Sequence, residues 1–104
     1  MEIKNAIIES ATLSKADHGV LSGWLHLDYG GSGQGFGGYC LYNPNFDGDS
    51  SGKWLWRIME TLEVYEWGEV VGKTIRVKAD HGKVHAIGHI LKDQWFCPSE
   101  EFKK

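Results

Sequence analysis

The chain is poor in cysteine, has no long apolar run and carries no excess of positive charge, and each shortage removes a class of protein. Cys40 and Cys97 are its only cysteines, whereas a zinc site takes three or four close Cys or His ligands. No stretch is long and apolar enough to span a bilayer. Met1 to Asn5 carries Glu2 and Lys4, so neither a signal peptide nor a membrane partner is expected. Two free thiols in a reducing, cytoplasmic compartment follow. The net charge of −3 argues against a nucleic-acid partner held by phosphate attraction and is too mild for an acidic mimic of DNA. Lys73, Arg76, Lys78 and Lys83 read as a solvated strand face.

What is present fits one folded domain spanning residues 1–104. Hydrophobic residues make up 41% and charged residues 24% of the 104, an ordinary globular mixture, and a chain of this length buries roughly two thirds of its unfolded surface.

Ile3 to Leu13 is rich in Ile, Thr and Ala and reads as a first strand, with a helix as the alternative. Asp17-His18-Gly19 is a turn. From Val20 to Tyr29 the residues alternate. Leu21, Gly23, Leu25, Leu27 and Tyr29 share one face, and Val20, Ser22, Trp24, His26 and Asp28 the other, which marks a half-buried strand. A glycine-rich loop from Gly30 to Gly38 leads to a third strand over Tyr39–Tyr42, and a polar loop follows from Asn43 to Gly52. Leu55, Ile58, Leu62 and Tyr65 recur at helical spacing, flanked by Trp54 and Met59; Ser50 or Ser51 caps the helix and Gly68 ends it. Lys73–Ala79 and Val84–Ile90 are two more strands, joined by Asp80-His81-Gly82. Val84, Ala86, Gly88 and Ile90 form the apolar face of the second. The order β-β-β-α-β-β, with hairpins near both ends, predicts an α+β fold: an antiparallel sheet of about five strands with one helix packed on one face.

Two features invite functional readings. Lys15-Ala16-Asp17-His18-Gly19 recurs letter for letter as Lys78-Ala79-Asp80-His81-Gly82, and at the same offset His26 matches His89. Both segments serve either as equivalent hairpin turns or as paired loops presenting Asp17, His18, Asp80 and His81 to a ligand. The second feature is Gly30-Gly31-Ser32-Gly33-Gln34-Gly35-Phe36-Gly37-Gly38. Gly33, Gly35 and Gly38 satisfy G-x-G-x-x-G, yet the segment runs into a strand and not a helix, which fails the dinucleotide-binding context. Either the glycines permit a close backbone approach, or bare N–H groups at Gly31, Gly33, Gln34 and Gly35 hold an anion or a nucleotide. The alternation also places His26, His85 and His89 on the face away from the helix, where imidazoles could bind metal or move protons. No metal site or cofactor is assigned. A hydrolase built on these histidines ranks last, because no nucleophile elbow or P-loop accompanies them.

The Ala16–Gly19 turn, the Leu25–Tyr39 block and Ala79–Val84 together resemble a family of small proteins encoded by bacteriophages and prophages. The resemblance covers most of the chain and carries no catalytic residue. It implies an accessory protein in a bacterial host's cytoplasm that binds and blocks a host system, such as an anti-CRISPR or other anti-defence protein. Five tryptophans support a protein-binding inhibitor or adaptor, with Trp24, Trp56 and Trp67 as its anchors. A second layer, a terminal segment or a homodimer partner is the other candidate to cover them, and sequestration of a small ligand or nucleotide by the glycine loop is the alternative function.

Overall fold

A computed structural model describes residues 2–16, 20–30, 33–42, 50–80 and 82–102, with 16 and 38–40 described by their backbone alone. The fold is α+β, as expected: an open antiparallel sheet under one main helix. The strands are β1 (Glu2–Ala16), β2 (Val20–Asp28), β3 (Gly33–Tyr42), β4 (Thr74–Ala79), β5 (Val84–Gly88) and β6 (Trp95–Phe96), and the helix α1 (Ser51–Leu62) joins β3 to the second half. A 3₁₀ turn (Trp67–Val70) and a single closing turn, α2 (Pro98–Glu101), complete the described elements. The two-residue β6 is the strand that sequence reading did not anticipate.

The sheet order is β3-β2-β1-β4-β5-β6. It consists of two three-stranded meanders joined side by side through β1 and β4, so the strand order reads symmetrically about that seam. The recurring pentapeptide falls at the first strand junction of each meander: Lys15 and Ala16 end β1, Lys78 and Ala79 end β4, while Asp17, His18, Gly19 and His81 lie outside the described residues. β1 is shared between the halves. Glu2–Ile7 pair with β4 and Ile7–Ala16 pair with β2, with a register shift between Ile8 and Ser10. A bulge bends a strand and raises its local twist, and here it lies where β1 passes from one meander to the other.

Period-two alternation decides which side of the sheet meets α1. Leu25 and Leu27 are buried while Trp24 and His26 point outward, as the sequence of β2 predicts. Strand β5 departs from its predicted pattern. Val84 pairs with Ala79, but a register shift then brings Ala86 opposite Lys78 and Ile87 opposite Val77. The shift puts Ile87 in the core and turns Ala86 and Gly88 to the outer face, so Val84, Ala86, Gly88 and Ile90 do not share one side.

Helix α1 buries Trp54, Ile58, Thr61 and Leu62, residues that recur at helical spacing along one stripe. It stops earlier than the position of Gly68 suggests. Glu63 adopts the left-handed conformation at φ 57°, and the Val64 N–H bonds back to the Met59 carbonyl at 3.0 Å, a Schellman-type closure. The chain therefore leaves the helix before Tyr65, which is 95% exposed and not part of the buried stripe.

Candidate functional site

Gly33, Gln34 and Gly35 belong to β3, opposite Asp28, Leu27 and His26; they are ladder residues and not part of an open loop. Extended geometry turns successive N–H groups in opposite directions, so this segment does not make the converging donors of an anion nest. Gly31 lies outside the described residues. The glycines have a steric reason instead. A Cβ on Gly35 would sit 2.6 Å from the Trp24 ring, and one on Gly37 only 2.1 Å from the Gly23 carbonyl oxygen. Gly37 also has φ +134°, a conformation that L side chains rarely adopt. The other meander repeats the device, with Gly88 flat beneath Trp95, where a Cβ would come within 2.6 Å of the indole.

Of the paired turns, Asp17, His18 and His81 lie outside the described residues, and Asp80 is exposed. Asp80 Oδ1 accepts the N–H groups of Gly82 (2.9 Å) and Lys83 (3.0 Å), while Oδ2 lies 2.7 Å from His85 Nε2. These bonds, the His85 contact foremost, hold the Asp80 carboxyl below the usual range. The strand ends flanking the two turns lie apart: Ala79 pairs with Glu2 at the start of β1, and Ala16 pairs with Val20 at its end.

Each of the three described histidines has its own surroundings. His26 stacks on Trp24 with ring centres 6.5 Å apart, and His85 faces Asp80. His89 Nδ1 accepts the Leu91 and Lys92 N–H groups at 3.1 Å each. Among the described residues, no group of three or more His, Cys, Asp or Glu side chains could hold a metal ion.

The tryptophans divide. Trp67 is half-buried and packs on Trp54 with ring centres 5.9 Å apart, which makes it part of the core rim. Trp24 is 38% exposed over Gly35, and Trp56 is 64% exposed on the solvent side of α1. Together with Tyr65, Trp56 borders a groove of about 330 Å³ that is also lined by Met59, Glu60, Glu63 and Val64. Sequence reading missed Tyr65 because helical spacing carried the stripe past the true helix end.

The groove's carboxylates are held from outside it. Arg57 donates to Glu60 at 2.7 Å and reaches across to Glu101 at 2.7 and 3.1 Å and to the Trp95 carbonyl at 2.9 Å. Lys92 donates to Glu63 at 2.7 and 2.9 Å, and Gln94 adds a bond at 3.1 Å. Hydrogen bonding from Lys92, and then Gln94, keeps the Glu63 carboxyl below the ordinary carboxylate range. Both carboxylates are thus held in place by hydrogen bonds and line the groove together with the two exposed aromatic rings. No helix among the described residues is long and apolar enough to cross a membrane. No family model, curated protein or solved structure matches this chain.

Proposed function

We propose that this chain is a protein-binding module, an inhibitor or adaptor, whose contact surface is the exposed side of α1 and the turn after it. The observation that carries the reading is the groove: Trp56 and Tyr65, 64% and 95% exposed, stand around an apolar floor of Met59 and Val64. Large aromatic side chains on a concave surface are the residues that dominate protein interfaces. The resemblance to phage-encoded proteins directs the search for a partner to bacterial host proteins, defence systems among them. Gly33–Gly35, being paired in β3, lend no support to nucleotide sequestration.

The test is affinity capture from bacterial lysate with the native chain beside a Trp56→Ala, Tyr65→Ala variant whose circular dichroism spectrum is unchanged. A partner retained by the native chain and lost by the variant supports the proposal. Partners retained equally by both chains refute this surface as the contact.

A further inference from the structure

We infer that the Trp56–Tyr65 groove receives a cationic side chain, a lysine or arginine flanked by apolar residues, from a partner polypeptide. The inference rests on the reading above that this groove binds protein.

Charge and shape both point to that occupant. The lining combines two aromatic rings, two apolar side chains and two carboxylates, with no basic residue among the described residues. Arg57 and Lys92 bond Glu60 and Glu63 but do not line the groove. Beyond them, residues 60–69 contain four glutamates and neither Lys nor Arg. Glu66 and Glu69, both exposed, close a capping box on the 3₁₀ turn that follows Tyr65 in the chain. An ammonium or guanidinium group is attracted to the faces of Trp and Tyr and to carboxylates, whereas an anionic side chain would meet Glu60 and Glu63 in the lining. At about 330 Å³ the groove lies at the small end of ligand pockets, about 300–1,000 Å³, a size suited to one or two side chains. The apolar floor of Met59 and Val64 suits the aliphatic stem of a long basic residue.

The test is NMR titration of the isotopically labelled full chain with four capped tripeptides: Leu-Lys-Leu, Leu-Arg-Leu, Leu-norleucine-Leu and Leu-Glu-Leu. The Trp56 indole N–H resonance is identified by its loss in Trp56→Phe. The two basic peptides are expected to shift this resonance and those of Tyr65 saturably, and added salt should weaken them. The double change Glu60→Gln, Glu63→Gln should weaken them about three- to tenfold, as loss of two exposed charge contacts implies. Salt dependence in the native chain provides a readout that needs no variant. Equal shifts from the norleucine peptide would overturn the cationic assignment while leaving the protein-binding proposal standing. Absence of shifts with all four peptides would overturn the inference, and the capture experiment then judges the broader proposal by itself. Concentration-dependent shifts without any peptide would make a second copy of the chain the occupant, and would overturn it as well.

Discussion

Phe36 and Phe96 belong to β3 and β6, the first and last strands in the sheet order, yet their rings meet edge-on with centres 6.1 Å apart. Both side chains are fully buried. A flat six-stranded sheet would hold its outer strands on the order of 24 Å apart, at about 4.8 Å per step. The contact therefore measures how far the sheet curls around α1. Phe36→Leu and Phe96→Leu should each cost about 1 kcal/mol. The double variant should depart from additivity by about 0.5–1.5 kcal/mol, the coupling of an aromatic pair, in a denaturant-unfolding cycle. Strict additivity would mean that the two edges do not meet.

Gly37→Ala should be among the most destabilising changes to a small residue. A new methyl group would press on the Gly23 carbonyl and stiffen a backbone held at φ +134°, at a cost of at least about 2 kcal/mol. Gly52→Ala is its control. That glycine lies in α1 with nothing near the added Cβ, so the change should raise stability by roughly 0.5–1 kcal/mol. Chemical denaturation of both variants measures the contrast, and similar values would contradict the close β2–β3 approach.

The Trp95 platform gives a third expectation. Its ring covers Gly88, with Arg76 and Lys78 at 4.8 and 4.3 Å from its centre and its indole N–H bonded to Asp93. Held on so many sides, the ring has little room to yield. Gly88→Ala should lower the unfolding midpoint by an amount equivalent to about 1–3 kcal/mol, and most of that loss should vanish in a Trp95→Ala background. Persistence of the full loss there would place the strain elsewhere.

The contribution of Glu101 depends on pH with a definite sign. The Arg57 hydrogen bond lowers its carboxyl below the ordinary 4.5, so the folded state binds its proton less readily than the unfolded chain. The stabilisation is therefore present above pH 4.5 and is lost as pH falls through the depressed folded value. Glu101→Gln should cost up to about 1 kcal/mol at pH 7, the scale of a partly exposed ion pair, and the gap from the native chain should close in acid. A gap that widened on acidification would reverse the assignment.

Trp54 and Trp56 stand two residues apart on α1 and should respond in opposite ways. Trp54→Ala removes a fully buried indole and should cost about 3–5 kcal/mol. Trp56→Ala removes one that is 64% exposed and should move stability by no more than about 0.5 kcal/mol. Thermal unfolding of the two variants decides between a structural and a contact role for Trp56.

Local pattern made much of this legible. The alternation through Leu25, His26 and Leu27 identifies the buried side of β2, and the helical spacing of Leu55, Ile58 and Leu62 identifies α1, because burial on one side imposes a period that the chain itself displays. The fully buried stripe nevertheless runs through Trp54, which that spacing placed at its flank, and leaves Leu55 half-buried. The same reasoning failed at Tyr65. Helix spacing says nothing about where a backbone turns left-handed, and Glu63 does so with neither glycine nor proline to mark it. It failed again at Ala86, where a register shift in pairing with β4 reversed the face.

The amino-acid order alone determined the α+β class, the strand–strand–strand–helix succession and the outward setting of Trp24, His26 and Trp56, since each follows from neighbours a few residues apart. Only the tertiary structure decided that the glycine block from Gly33 on is a strand with Gly35 against Trp24, that the two copies of the pentapeptide lead out of strands in separate meanders, and that Tyr65 joins Trp56 around one groove. Those outcomes depend on contacts between distant segments. The space beneath an indole ring, the register of a paired strand and the curl that joins Phe36 to Phe96 are properties of the assembled sheet.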